Sequence, residues 1–233
     1  MVSPVSPTAL VVGASRGLGL ALAAEFLTRG WDVVGTVRGT TRTPLHDLAD
    51  AHPGRVEVEV VDIDDPARVD ALHERLAGRS VDILFVNAGT TNNQDTPIGR
   101  VPVEDFTTIM VTNALSPLRV METLSDVVAP AGLVGAMTSG QGSITNNTAG
   151  GREVYRGSKA ALNMFVRSLA AREAHTGRAF LLLAPGWIRT DLGGDDAPYT
   201  LEESVPLLVD IILAKRDRPG LEYLDRFGEV VPW

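Results

Sequence analysis

Short apolar, β-branched runs alternate along this chain with longer stretches whose apolar positions recur every three or four residues. Strands are predicted at Thr8 to Val12, Trp31 to Val37, Val56 to Val61, Val81 to Val86, Leu133 to Met137 and Ala179 to Leu183, with a seventh within Leu221 to Val231. Between them the pattern predicts helices at Leu18 to Arg29, Leu45 to Ala51, Pro66 to Ala77, Glu153 to Glu173 and Leu201 to Leu213. Val103 to Val128 reads as one long, mostly helical segment. Strand–helix alternation of this kind implies right-handed crossovers and a parallel sheet covered on both faces. No repeat, low-complexity tract or long linker interrupts it, so a single domain is expected.

Composition narrows the picture. At 233 residues the chain can bury a substantial core, and 44% hydrophobic with 21% charged residues is ordinary for a globular protein. The net charge of −8 argues against a general nucleic-acid or anionic-membrane surface. There are no cysteines, which removes disulfides, thiolate metal sites and cysteine nucleophiles. The stretch from Met1 to Pro7 has no basic region or long apolar run, and no window suits a membrane span, so a cytoplasmic protein is expected.

The loop Gly13-Ala14-Ser15-Arg16-Gly17-Leu18-Gly19 joins the first strand to the first helix, the context a phosphate-binding turn requires. Gly13 permits the tight turn, Gly17 admits backbone N–H groups to a pyrophosphate, and Gly19 allows close helix-to-strand packing. The second strand ends in Gly35-Thr36-Val37-Arg38, with no acid to bond a ribose 2′-hydroxyl. Arg38 and Arg16 can instead clasp a 2′-phosphate, which favours NADP(H) over NAD(H). Asp62, followed by Ile63, sits where a side chain could meet the adenine edge, although a solvated loop aspartate has nearly equal claim.

Tyr155 and Lys159 are four residues apart and share one face of a helix. The chain has three tyrosines and two lysines, so chance supplies roughly 0.03 such pairs. A tyrosine titrates near pH ~10, and a neighbouring cation lowers that value, making the phenol a usable proton donor and acceptor. His46, His52, His73 and His175 have no metal-ligand spacing, and no metal site is expected. Asp64-Asp65 and Asp195-Asp196 read as turn and capping residues. Leu162, Phe165, Val166 and Leu169 form an apolar stripe that is either core or subunit interface.

Taken together, the G-x-x-x-G-x-G turn, Asn87-Ala88-Gly89 after the fourth strand and Tyr155-x-x-x-Lys159 resemble the short-chain dehydrogenase/reductase family. Ser143-Ile144, the run Tyr155 to Asn163, and Pro185-Gly186-Trp187-Ile188-Arg189-Thr190-Asp191 are similar to its C-factor-type subgroup. The resemblance covers essentially the whole chain. It implies a single NAD(P)-binding domain over residues 1–233, a Rossmann fold with a doubly wound, mostly parallel seven-stranded sheet and helices on both faces.

What the resemblance implies for chemistry is specific. Tyr155 is the expected general acid in carbonyl reduction and base in alcohol oxidation. Lys159 is expected to lower the tyrosine's pKa and hold the nicotinamide ribose. Asn113 matches the family's helix asparagine, which positions a water linked to the lysine. Asn87, Ala88 and Gly89 are expected along the cofactor, with a mainly structural role. Pro185, Gly186, Trp187 and Ile188 are expected beneath the nicotinamide, with Thr190 at its carboxamide or the pyrophosphate. Asp191 to Tyr199 reads as a short substrate lid or a plain surface loop.

The catalytic serine is placed by the family about thirteen residues before the tyrosine. Ser139 lies sixteen before and Ser143 twelve before. Ser139 is favoured, because Thr138-Ser139 directly follows a strand whose carboxyl end faces the cleft. Expected partners are a small carbonyl or alcohol substrate and a second copy of the chain, as homodimer or homotetramer. Two other readings remain: a nucleotide-binding signalling or scaffold protein, and a reductase of C=N or C=C bonds.

Overall fold

In a computed structural model, residues 6–91 and 96–233 are described; Met1 to Val5, part of the stretch read as leaderless, lie outside them. The strands are β1 (Thr8–Val12), β2 (Asp32–Val37), β3 (Val56–Val60), β4 (Val81–Val86), β5 (Val128–Met137), β6 (Ala179–Ala184) and β7 (Gly220–Asp225). All are parallel, in the order β3-β2-β1-β4-β5-β6-β7. The helices are α1 (Gly17–Thr28), α2 (Pro44–Ala51), α3 (Pro66–Leu76), α4 (Val103–Met110), α5 (Ser116–Thr123), α6 (Glu153–Arg172) and α7 (Leu201–Arg216). This is the expected doubly wound Rossmann architecture. Strand order reverses between β1 and β4, and that switch opens a crevice at the strands' carboxyl ends.

Period-two alternation assigns each strand residue to one of two cores. Leu10, Val12, Leu84, Val86 and Phe180 pack beneath Leu72 of α3, Val120 of α5, and Leu162 and Val166 of α6. Ala9, Val11, Ile83, Phe85 and Leu181 face Leu22 and Phe26 of α1 and Leu208 and Ile212 of α7. Edge strand β3 reads Val-Glu-Val-Glu-Val, and its outward Glu57 and Glu59 pair with Arg79 and Arg75. The stripe on α6 thereby divides: Leu162, Val166 and Leu169 are core, whereas Phe165 points outward.

The segment from Val103 is helical almost throughout, as expected: α4 passes into a turn of π-helix at Val111–Leu115, then α5, and helical structure ends at Val127. One expectation needs correction. Strand β5 begins at Val128, five residues earlier than the pattern indicates. Pro130 and Gly132 lie in this added stretch. The ladder to β4 shifts register between Val81 and Ile83, and that irregularity accommodates the proline.

Candidate active site

The turn after β1 is built as its glycines require. Gly13 has φ 88°, and a Cβ there would lie 2.8 Å from Ala88. At Gly19 a Cβ would fall 2.0 Å from the Gly13 carbonyl oxygen and 2.7 Å from Asn87 Nδ2. The backbone N–H of Gly13 donates to Thr36 Oγ1 at 3.0 Å, and Asn87 Nδ2 donates to the Gly13 oxygen at 3.0 Å. Strands β2 and β4 thus hold the turn from either side, and the first turn of α1 opens onto the crevice with its N–H groups. Ser15 and Leu18 lie within this turn and first helical turn. Arg38 is exposed at the end of β2, and Ile63 is buried just beyond β3. The Asp62 carboxylate accepts from the Asp64 N–H at 3.2 Å, shaping its own turn.

Tyr155 and Lys159 face the end of β5 from the first turns of α6. The Tyr155 phenol lies beside Ser139, which directly follows Met137 and Thr138. Lys159 is buried, its Nζ 6.0 Å from the Tyr155 ring centroid and 3.0 Å from the Met137 carbonyl oxygen, to which it donates. Burial lowers its pKa to about 8. Burial also pushes the Tyr155 phenol above the ordinary tyrosine value, opposed by the Ser139 side chain and the charge of Arg152. Burial is the largest of these effects on Tyr155.

Ser143 is elsewhere. It is buried, and its Oγ accepts from the Asn146 N–H at 3.1 Å, so it shapes the loop that follows. Ser139 is half-buried, and its Oγ accepts from the Gln141 N–H at 3.1 Å.

Asn113 occupies the π-helical turn, the widening that lets an inward side chain reach past its own backbone. Its Oδ1 accepts from Thr90 N–H at 2.8 Å, and its Nδ2 donates to Thr90 O at 2.9 Å and Ser158 Oγ at 3.0 Å. A Cβ on Gly89 would meet Asn113 Oδ1 at 3.3 Å and Lys159 Nζ at 3.6 Å, so Asn87-Ala88-Gly89, Asn113 and Lys159 converge. Asp64, read from sequence as a turn or capping residue, braces the π-helical turn. It accepts from Thr112 Oγ1 at 2.6 Å and Ser116 Oγ at 2.7 Å. Asp65 does cap α3, accepting from Ala67 N–H at 3.0 Å.

Beyond β6, Pro185 leads into Gly186 at φ 83°. Trp187 Nε1 donates to Gly193 O at 2.6 Å, and Ile188 pairs with Tyr199. Thr190 Oγ1 accepts from Gly193 N–H at 3.1 Å. This segment spans to the nucleotide turn: Arg16 pairs with Asp191 at 3.2 Å, and the Thr190 methyl lies 3.9 Å from where a Gly17 Cβ would be. Among the described residues no three histidine, aspartate or glutamate side chains form a possible metal cluster, and no helix is long and apolar enough to cross a membrane.

Sequence reading missed Arg152, Thr138, Asn163 and Tyr223, all close to Ser139 or Tyr155. Arg152 carried one signal, following Gly150-Gly151 just before α6; all three have positive φ. The others touch the site through long-range contacts that no local pattern encodes.

A glycine-rich turn at the topological switch, a tyrosine and lysine on one helix, and a serine at the facing strand end define a dinucleotide-dependent oxidoreductase class. Residues 7–198 match the short chain dehydrogenase family model, and the chain belongs to the short-chain dehydrogenase/reductase family. It is 37% identical to C-signal of Myxococcus xanthus over 155 residues, 66% of this chain and 93% of that protein. Among solved structures, a short-chain dehydrogenase/reductase from Burkholderia multivorans with bound NADP is 61% identical with a TM-score of 0.97, covering 98% of this chain and 100% of that one. A carbonyl reductase from Pseudomonas aeruginosa PAO1 in complex with NADP is 34% identical with a TM-score of 0.88, covering 98% and 100%.

Proposed function

We propose that this chain is an NADP(H)-dependent oxidoreductase interconverting a small-molecule carbonyl and an alcohol, with Tyr155 as general acid and base. The observation that carries the reading is Tyr155 one helical turn from the buried Lys159, whose Nζ lies 6.0 Å from the Tyr155 ring centroid and donates to Met137 O at the strand end that leads to Ser139. In reduction, Tyr155 gives its hydroxyl proton to the substrate oxygen; in oxidation the same phenolic oxygen takes it back. Burial keeps the phenol protonated at neutral pH, as a donor must be. The Ser139 hydroxyl donates to the substrate oxygen as negative charge develops there. Lys159 would hold the nicotinamide ribose hydroxyls of a bound coenzyme and stabilise the transient phenolate, and Asn113 holds the loop at Thr90 beside it.

The residues fit a dinucleotide: Gly13 and Gly19 let the turn close tightly against Ala88 and its own carbonyl, and Gly17, with only the Thr190 methyl near the place of a Cβ, leaves the backbone open to approach. Gly13 to Gly19 would hold the pyrophosphate, Asp62 and Ile63 the adenine, and Asn87 to Gly89 and Pro185 to Thr190 the nicotinamide half. Arg16 and Arg38 would clasp the 2′-phosphate, and NADP in the two solved relatives supports that preference. When bound, the nicotinamide supplies the hydride in reduction and accepts it in oxidation.

The test is NADPH oxidation with a panel of ketones and aldehydes. Turnover that falls at least about a hundredfold in Tyr155→Phe supports the reading. The similarity to C-signal favours a second reading, a cofactor-binding signalling protein. Tight NADPH binding with no turnover across the panel, unaltered by Tyr155→Phe, would establish that reading instead. Val103 and Phe106 on α4 and Met164 and Phe165 on α6 are exposed, and this apolar face is where we place the contact between copies in a homo-oligomer.

A further inference from the structure

Tyr223 is the most buried of the three tyrosines and lies on β7, with β6 between it and the strand leading to Ser139. Its hydroxyl reaches past β6 and donates to the Ser139 carbonyl oxygen at 2.6 Å. The same oxygen accepts from Gly142 N–H at 2.9 Å. From the other side, Thr138 Oγ1 donates to Asn163 Oδ1 at 2.6 Å, and Asn163 Nδ2 donates to Gly142 O at 3.4 Å. The Asn163 side chain lies near enough to the Tyr223 phenol to favour its ionised form slightly, against the larger effect of burial. Thr138, Asn163 and Tyr223 are all buried, so the network is anchored in the core rather than on a mobile surface. Its effect is to fix the main chain before and after Ser139 while leaving the Ser139 side chain directed at Tyr155. A phenylalanine would fill the apolar space of the Tyr223 ring, so the hydroxyl is the part that packing does not require.

We propose that Tyr223, with Asn163 beside it, is a positioning residue: by holding the Ser139 carbonyl it sets where the Ser139 hydroxyl meets the substrate oxygen. This rests on the reading of Ser139 as the donor to that oxygen. Burial holds the Tyr223 phenol up to about 12, so it remains a donor across the working pH range.

Two measurements on the full chain test it. The first needs no turnover: in Tyr223→Phe, amide hydrogen exchange at Gln141 and Gly142 should quicken about tenfold, the size of one lost hydrogen bond. Unchanged protection there would overturn the proposal. The second is a double-mutant cycle read on kcat with the best carbonyl of the panel and on NADPH Kd by fluorescence. Tyr223→Phe should lower kcat about tenfold with Kd unchanged, and should do nothing further in the Ser139→Ala background. An equal loss in both backgrounds, or a matching change in Kd, would show that Tyr223 does not act through Ser139. If Tyr223→Phe folds poorly, Asn163→Ser is read in the same exchange experiment and cycle with the same criteria. A Ser139→Ala protein with normal kcat would instead sink the functional reading of Ser139, and the exchange result would still judge the brace.

Discussion

Lys159 Nζ donates to the main-chain oxygen of Met137 at 3.0 Å and so ties α6 to the end of β5. The tie joins a buried cation to one carbonyl dipole, and burial brings the ammonium down from 10.5 to about 8. Below pH 8 the lysine is protonated both folded and unfolded, and the folded state bears the full desolvation cost. Between about pH 8 and 10.5 the unfolded chain binds more protons than the folded one, so stability rises with pH. The bound on this effect is about 3 kcal/mol.

Lys159→Met should therefore raise stability at pH 7 by about 1–3 kcal/mol and abolish the rise between pH 8 and 10.5. Urea unfolding at pH 7 and pH 10 reads both effects. Turnover should fall at least about a hundredfold in the same protein. A variant less stable than its parent at pH 7 would mean that the bond to Met137 outweighs desolvation.

Glycine-to-alanine changes on two helices should have opposite signs. In an exposed helix interior the substitution ordinarily stabilises by about 0.5–1 kcal/mol. Gly157 on α6 is exposed with nothing within 4 Å of a Cβ, so Gly157→Ala should follow that rule. Gly19→Ala would drive a methyl into the Gly13 oxygen and break the Asn87 contact, costing about 2 kcal/mol or more. Urea midpoints of the two variants on opposite sides of the parent are the expected result.

The coenzyme preference turns on one phosphate. Arg38 is exposed at the end of β2, free of the acid that would read a ribose hydroxyl. Arg38→Asp should weaken NADPH about ten- to a hundredfold and NADH by less than about threefold, since only one carries the group a guanidinium fork would hold. Fluorescence titration of both coenzymes decides it. Equal losses would place the 2′-phosphate elsewhere.

What could be read from the sequence was whatever short stretches of chain decide. The turn from Gly13 to Gly19 was legible because its spacing and its position after a strand are local, and Gly19 packs as that spacing implied. The start of strand β5 was not legible, because the pairing of Val128 to Gly132 rests on a register shift against β4 that no local pattern encodes. The π-helical turn at Asn113 was invisible: Asp64, which bonds Thr112 and Ser116 there, lies about fifty residues distant in the chain. Tyr223 had no signal at all beyond being a tyrosine in a strand. Its partner lies 84 residues upstream, two strands across the sheet.

The two serines should separate cleanly, because each hydroxyl has a different task. Ser143 is buried and accepts from Asn146 N–H, so Ser143→Ala removes a loop bond and should cost about 1 kcal/mol of stability. Its kcat should stay within about threefold of the parent, since nothing links its hydroxyl to Tyr155. Ser139 lies beside the Tyr155 phenol, and Ser139→Ala should lower kcat about a hundredfold or more, while loss of the bond from Gln141 N–H costs about 1 kcal/mol, as in Ser143→Ala. The phenol should also become harder to ionise, because the hydroxyl that opposes desolvation is gone. In alcohol oxidation, where phenolate is the base, the rising limb of the pH profile should therefore move to higher pH in Ser139→Ala and stay in place in Ser143→Ala. A Ser143→Ala protein that lost turnover and shifted that limb would reverse the assignment.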